Sequence, residues 1–500
     1  MRRIVIIGIW AIIQIILYLY FFLVPATTTA VYLLQIIIGI LLALYILSDD
    51  TKMTTSKLSW ITIVLAFPAV GTILYLLFGI GQMTSYKKRV LESSKIRYNT
   101  EKSELSQLNS LSSRKKSLVN YLDNMNYRTA YLQKGSNFKT YDFGQDFFED
   151  IIQDIRRAKE YIHLEFYIIK EGILFDKIIE ELILKAKQGI EIRIISDFVG
   201  GRSISLHTQN KLKQNNIHLV FFNQLEINVL SKITNFRDHR KIVVIDGSIA
   251  YTGGFNIGDE YIDLDEYYGH WQDFAIRIAD SSAVLEYETF FAQHWYFETK
   301  ENLFIPKYYP SIDNSTLKGD TFIYPYVDGP DSAETFIRDM FIKTIMVAKE
   351  RVLISTPYLI PDSVLLDSII LQARSGVQIT IITPGLPDKK IVKLSTESYY
   401  RDLLKVGVKI VEYKGFIHSK KLMVDDDIAI VGTANFDMRS FNLSFEVCTL
   451  LMNGPVLKEI SDIFEDEIVN SNEVIYNDYE KQNLFKRALQ VILRLFAPLF

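Results

Sequence analysis

Gly415–Glu446 reads GFIHSKKLMVDDDIAIVGTANFDMRSFNLSFE and holds His418, Lys420 and Asp425 in the spacing H-x-K-x4-D, followed by Gly432 and Asn435. The same spacing occurs once more, at His239, Lys241 and Asp246, followed by Gly253, Gly254 and Asn256. HRKIVVIDGSIAYTGGFN aligns with HSKKLMVDDDIAIVGTAN without a gap. The surroundings repeat too. Phe147–Glu160 has helical spacing and ends in AKE, Tyr161–Ile169 is a β-rich apolar run, Phe175–Lys187 is helical and stops at Gly189, and Ile190–Ser196 is a second strand. In the second half Phe341–Glu350 ends in AKE, Arg351–Ser355 is a strand, Ile369–Arg374 ends a helix before Gly376, and Val377–Thr383 is the matching strand. An internal duplication explains this order. Each half runs to about 170–180 residues, the size of one α/β domain.

The chemistry of the motif follows from its residue types. If each motif lies on a strand, His239 and Lys241 project from one face, as do His418 and Lys420, while Arg240 and Ser419 point the other way. An imidazole beside an ammonium suits a phosphodiester. Lysine neutralises the non-bridging oxygens, and histidine acts on phosphorus or on the leaving oxygen. Asn256 and Asn435 can donate to the same oxygens. One motif is then half a site, and two related by a pseudo-two-fold bring two histidines and two lysines to one phosphate. One histidine is nucleophile and the other general acid. Asp246 and Asp425 are expected to keep the lysines charged and oriented. Each imidazole needs a partner for its second nitrogen, and Asp273 and Glu446 are the candidates, each following the motif of its own half. Two histidines, each beside a lysine and without cysteine partners, make a poor metal set, because ammonium repels a cation. No metal or cofactor is expected. The remaining histidines, His163, His207, His218, His270 and His294, show no repeated pattern and read as structural.

At 500 residues the chain is long enough for two or three domains. The single cysteine, Cys448 in VCTLLM, excludes an intramolecular disulfide and reads as a small core residue. A net charge of −4 argues against a nucleic-acid partner, and so against a nuclease. The 49% hydrophobic content is concentrated at the N-terminus. Ile4–Val24 and Val31–Leu47 are apolar runs long enough to cross a bilayer, and Trp60–Phe78 is a third, interrupted by Pro68 and Gly71. Arg2 and Arg3, then Lys52 and Lys57, then Lys87, Lys88, Arg89, Lys95 and Arg97 all mark an inside face. Three full crossings cannot satisfy all of them. Two crossings and a third segment that enters and leaves on one side can, with the remainder cytoplasmic; three spans with an exterior catalytic part are the alternative. Thr84–Asn126 reads as a basic linker or surface helix drawn to an anionic leaflet. Phe485–Phe500 reads either as an interfacial amphipathic helix or as one packed on the protein's own core. The expected division is 1–83 membrane-anchoring segment, 84–130 linker, 131–308 first α/β domain, 309–480 second α/β domain and 481–500 C-terminal helix.

The doubled H-x-K-x4-D motif resembles that of the phospholipase D superfamily. Within it the stretches FRDHRKIVVIDGSIAYTGGFNIGDEY, HWQDF, STPYLIPD, GFIHSKKLMVDD, GTANFDMRSFNLSFEV and WITIVLAFPAVGTILYLLFG are similar to the bacterial cardiolipin synthases. Gln272 and Ser444 depart from residues frequent in that family, Arg and Asn, and bear only on fine substrate contacts. The resemblance implies an α/β fold of two similar phospholipase D-type domains about a pseudo-two-fold, with the site in the cleft between them. It implies a bacterial membrane enzyme joining two phosphatidylglycerol molecules into cardiolipin and glycerol. The implied route is a phosphohistidine intermediate without metal, and the implied nucleophile is His239. A phospholipase D, or a phosphatidyltransferase with another donor or acceptor, is the nearest alternative.

Overall fold

The structure, a computed structural model, describes residues 25–49, 54–76, 110–124, 132–135, 137–224, 236–265, 270–279, 282–310, 319–330 and 335–496. It divides into two compact units, the smaller built mainly on Met1–Tyr86 and the larger on Lys87–Gln224 with Phe236–Leu493.

In the smaller unit Pro25–Ser48 is one helix, and the third apolar run is broken into Thr54–Ala66 and Pro68–Leu74. Pro68 opens the second piece at a position where its missing N–H costs nothing. Trp60 and Tyr75 meet edge to face at 5.4 Å between ring centroids, whereas a continuous helix would hold them roughly 22 Å apart along its axis. The segment therefore turns back on itself. Gly71 permits the close approach, since a Cβ there would sit 2.4 Å from the carbonyl oxygen of Ile63. Ile46, Trp60, Ile63, Val64 and Tyr75 form the small core. The first apolar run, Ile4–Val24, lies outside the described residues. Among the described residues no helix is long and apolar enough to cross a membrane.

The larger unit is the duplicated part. The first sheet runs in the order Asn137–Tyr141, Ala275–Ala279, Ile249–Gly253, Lys241–Ile245, Tyr161–Phe166, Glu191–Asp197, Ile217–Phe222. The second repeats this order as Thr321–Asp328, Ser444–Met452, Ile428–Gly432, Lys421–Val424, Arg351–Ser355, Gln378–Pro384, Lys409–Tyr413. The inner strands Tyr161–Phe166 and Glu191–Asp197 are buried on both faces, as strands paired in parallel commonly are. The halves are not separate beads. Gln133–Gly135 leaves the first half to pair with Thr321–Ile323 of the second sheet. The long helix Ala283–Thr299, buried almost throughout, packs on strands of both sheets. Its His294 meets Glu165 at 2.7 Å, and its Glu288 meets His163 at 3.0 Å. These two histidines thus carry a repeated arrangement after all, as two reversed imidazole–carboxylate pairs that fasten this helix to the strand Tyr161–Phe166.

Part of the basic linker belongs to this unit as well. Ser113–Asp123 is a helix with Leu118, Val119 and Leu122 buried. Its Arg114 is paired with Asp425 and with Asp427, the latter at 2.6 Å, and Lys115 is paired with Asp427 at 2.7 Å. Those two cations answer acids of the second half rather than a lipid surface.

The motif aspartates close the far end of each motif strand. Asp246 and Gly247, with φ 52° and 62°, and Asp425 and Asp426, with φ 48° and 56°, are the central residues of tight hairpin turns that need positive φ twice. The Asp246 carboxylate accepts from the backbone N–H of Lys159, Glu160 and Tyr161 at 2.8, 2.8 and 2.9 Å. Asp425 accepts from Lys349, Glu350 and Arg351 at 2.9, 2.8 and 3.0 Å. The shared AKE is therefore not a helix end. It is the turn whose amides the motif aspartate satisfies, ahead of the neighbouring strand. Each aspartate lies five residue steps along the chain from its lysine, about 16 Å at 3.3 Å per residue, so orienting the lysine is not what these carboxylates do.

Asp246→Ala or Asp425→Ala orphans three backbone donors. Each change is expected to lower stability by about 1.5–3 kcal/mol in thermal or urea unfolding. For Asp425, burial pushes the carboxyl up but the backbone donors and Arg114 outweigh it and hold it below its ordinary value. Its contribution is therefore present above the ordinary aspartate range and is lost as pH falls through the lower folded value. A wild-type-like unfolding curve in both variants would contradict this role.

Candidate active site

Each histidine lies just outside its motif strand, in a link held by the opposite half. Arg237–Asp238 pairs in parallel with Ser444–Phe445, and Phe416–Ile417 pairs in parallel with Trp271–Gln272. The ladder continues onto the histidines themselves. His239 N–H donates to Phe445 O at 2.9 Å, and His418 N–H donates to Gln272 O at 2.6 Å. The next residue on each opposing strand is the carboxylate. His239 Nδ1 meets Glu446 Oε2 at 2.9 Å, and His418 Nδ1 meets Asp273 Oδ2 at 2.6 Å. Asp273 and Glu446 thus sit against the imidazoles, but the pairing is exchanged. The histidine of one half is oriented by the acid of the other, although each acid follows the motif of its own half. With Nδ1 engaged, Nε2 is left as the nitrogen that can attack or carry a proton.

The two acids are supported differently. At the position after the motif glycine, the second half has Thr433, whose hydroxyl donates to Glu446. The first half has Gly254, where a Cβ would fall 1.8 Å from Asp273 Oδ1. The shorter acid lies so close to the backbone that only glycine fits beneath it, whereas the longer one leaves room for a hydroxyl. The sequence carried this signal as GG against GT, with Asp against Glu, but only the exchanged pairing gives it meaning.

The lysines complete the cleft. Lys241 Nζ donates to His239 O at 2.7 Å, and Lys420 Nζ donates to His418 O and lies 4.0 Å from Asp273 Oδ1. Burial lowers Lys241 to about 7, with Glu446 opposing and Lys420 adding to the fall. Burial lowers Lys420 to about 8 against the pull of Asp273 and Glu446. Burial and then Lys420 bring His418 down to about 4. His239 falls well below its usual value through burial, then through Lys241, Lys420 and His418. His239, Lys241 and His418 each feel a cation of the other half, and Lys420 feels the acids of both, so the four share one poorly solvated space. Rings confine the imidazoles: Tyr167 lies 5.0 Å from His239, and Trp271 and Tyr261 lie 5.5 and 6.0 Å from His418. These aromatics carry no spacing signal in the sequence.

The asparagines are placed otherwise than expected. Asn256 accepts from the Ile168 N–H at 3.0 Å and donates to the Tyr261 hydroxyl at 2.6 Å, so its amide is spent on local structure. Asn435 is buried and hydrogen-bonds Asp437. Behind His239, Glu165, Asp238 and His294 have their ligand atoms within 4.8 Å of one another. Burial and Arg240 pull His294 down, but Glu165 and Asp238 prevail and raise it. The group is an internal ion cluster balanced by Arg240.

A duplicated α/β half with two imidazole–ammonium pairs facing one cleft defines the phospholipase D class. The family model described as cardiolipin synthase, phospholipase D-like domain matches residues 151–295 and 341–468, and a phospholipase D-nuclease N-terminal model matches residues 36–79. A cardiolipin synthase of Alkalihalophilus pseudofirmus is 34% identical over 95% of this chain and 94% of its own. The major cardiolipin synthase of Bacillus subtilis is 34% identical over 93% of this chain and 97% of its own. The phosphatidylserine synthase of Haemophilus influenzae superposes with a TM-score of 0.58 at 14% identity, over 77% of this chain and 98% of that one, and so shares the fold. The chain belongs to the bacterial cardiolipin synthases of the phospholipase D superfamily.

The depressed lysines give a pH test. A bound phosphodiester anion favours their charged forms, so binding takes up protons wherever the free lysines are neutral. Affinity for a water-soluble glycerol phosphodiester, which carries one charge throughout, is expected to fall as pH rises above about 7–8, by up to about tenfold per unit per lysine. Calorimetry in buffers of different ionisation enthalpy should show the matching proton uptake. A flat affinity across that range would remove the lysines from phosphate binding.

Proposed function

We propose that the protein transfers a phosphatidyl group from one phosphatidylglycerol to the terminal hydroxyl of another, giving cardiolipin and glycerol. The reading rests on the exchanged clamp, by which neither half can present an oriented histidine alone and the two together face one phosphorus. Nε2 of His239 attacks phosphorus, the bond from phosphorus to the glycerol oxygen breaks, and Nε2–H of His418 gives its proton to that oxygen. His418 then takes the proton of the incoming hydroxyl as its oxygen displaces His239. Lys241 and Lys420 neutralise the non-bridging oxygens where negative charge grows. In the free protein both imidazoles are held neutral. The entering anion offsets the lysine charges that depress them, and so readies the acid. One phosphodiester is exchanged for another, so neither a nucleotide nor a metal is required.

Both substrates are lipids, and we place the enzyme at the bacterial cell membrane with the catalytic unit on the cytoplasmic side. The apolar run Ile4–Val24, the exposed Leu33, Ile37, Leu41 and Leu44 of Pro25–Ser48, and the fold-back at Pro68 support anchoring with a third segment that returns to the side it came from. A phospholipase D is the competing reading, and the fate of the phosphatidyl-histidine separates the two. Water is the more concentrated acceptor. A lipid hydroxyl wins only if held beside the phosphorus, where positioning is worth about 10⁵ M or more.

Purified protein in phosphatidylglycerol vesicles is expected to give cardiolipin and glycerol in equal amounts with little phosphatidic acid, and added glycerol should reverse the reaction. Mainly phosphatidic acid, with no reversal, would replace the synthase reading by the hydrolase one. His239→Ala and His418→Ala should each cost several orders of magnitude in rate, and Lys241→Met or Lys420→Met about 10²–10³-fold. Near-normal turnover in either histidine variant would dismiss the two-histidine site.

A further inference from the structure

The helix Leu484–Phe496 has its polarity reversed relative to a helix that faces water. At 100° per residue, positions 484, 485, 488, 491 and 492 fall within about 120° of arc. On that arc Leu484, Phe485, Val491 and Ile492 are 79%, 75%, 70% and 51% exposed. The opposite side is the one fastened to the protein, by polar contacts with the half-buried Leu489 and Leu493 beside them. Lys486 pairs with Glu397 at 2.7 Å, and the buried Gln490 donates to Glu397 at 3.2 Å and to the Tyr479 hydroxyl at 3.1 Å. Arg487 donates to the Glu480 carbonyl. Of the two sequence expectations for this segment, packing on an apolar core is not what these contacts describe.

An apolar face held outward by polar bolts needs a covering, and the charge of the helix selects which. Leu484–Phe496 contains Lys486, Arg487 and Arg494 and no acidic residue. At 100° per residue Arg487 and Arg494 lie beside one edge of the stripe while Lys486 lies opposite it, and an apolar stripe edged by cations is complementary to an anionic leaflet, where the stripe enters the acyl boundary. The mounting also ties the helix to the site. Glu397 belongs to the helix Lys390–Leu404, which begins two residues after Asp388, whose charge acts on Lys420.

We propose that the apolar face of Leu484–Phe496 lies in the interface of an anionic bilayer, and that its polar face anchors the catalytic unit there independently of the N-terminal segment. The proposal rests on the reading above only in that the substrates are lipids. It adds a specific surface that holds the cleft at the leaflet supplying both of them.

The test uses the full chain in nanodiscs. Val491→Cys carries an environment-sensitive fluorophore, and Lys458→Cys, exposed on another helix, is the control; Cys448 is buried and stays unlabelled. Position 491 is expected to be quenched by nitroxide-bearing lipids, more in phosphatidylglycerol discs than in phosphatidylcholine discs, and to be shielded from an aqueous quencher that reaches position 458. Aqueous quenching at both positions would overturn the proposal. So would shielding from both quenchers, which would mean that the chain's own N-terminal segment or a second copy covers the face.

A second measurement compares substrates. F485S/V491S/I492S is expected to lower turnover of vesicle phosphatidylglycerol about tenfold, in keeping with the loss of an interfacial apolar face, and to leave turnover of a short-chain, monomerically dispersed phosphatidylglycerol unchanged. Equal rates on vesicles, or equal losses on both substrates, would each refute it. The quenching result does not depend on the product formed, so a failure of the synthase reading and a failure of this one are told apart.

Discussion

Each motif imidazole is clamped by a carboxylate from the other half, His239 by Glu446 and His418 by Asp273, and the rest of the larger unit serves that exchange. A histidine side chain left alone swings about two torsions. Here the backbone N–H of each histidine is pinned to the residue before the opposing acid, so ring and acid share one short ladder. The clamp needs two parallel strand pairs across the pseudo-two-fold, and those require the sheets to be held in fixed relation. The helix Ala283–Thr299, the crossing strand Gln133–Gly135 and the imidazole–carboxylate pairs of His163 and His294 provide that relation. Breaking the interface between the halves would therefore do more than open a cleft. It would leave each imidazole without its acid and each buried acid without its partner.

Burial is the second consequence. Two lysines and two histidines in one poorly solvated space depress each other, so the free site is reluctant to carry its full positive charge. An anion is what such a site lacks. On the proposed route the phosphodiester supplies the charge that makes the lysines ammonium and one imidazole an acid, so that protonation follows binding. A site open to water would keep its lysines charged, but would also admit water as acceptor. Low solvation and selectivity for a lipid alcohol are in this sense one property.

Membrane chemistry enters the same scheme through surfaces rather than through the cleft. The smaller unit shows a chain that doubles back at Pro68, and the larger unit presents exposed Leu484, Phe485, Val491 and Ile492 near its end. A phosphatidyl group cannot leave the bilayer cheaply, at about 0.8 kcal/mol for each methylene exposed. The protein must come to the lipid.

How much of this was legible in the sequence depends on the range of the interactions. The two H-x-K-x4-D copies, the matching element order around them, the apolar N-terminus and the amphipathic last helix are local patterns, and period and spacing report local structure directly. Asp273 and Glu446 were nameable as acids, because a buried imidazole must have a partner and each acid follows the motif of its own half. Which acid meets which histidine was decided only by the tertiary structure, because that pairing depends on strands more than a hundred residues apart meeting across the interface. The same holds for Asp246 and Asp425, whose distance from their lysines is set by an extended strand and whose partners are the amides of a remote turn. It holds for Asn256, whose amide is taken by Tyr261, and for Gly254, whose missing side chain makes room for Asp273. Sequence determined which groups the chain owns and that they come in two matched sets. The packing of one half on the other decided which of them face the phosphorus, since burial, orientation and pairing are properties of the space between elements.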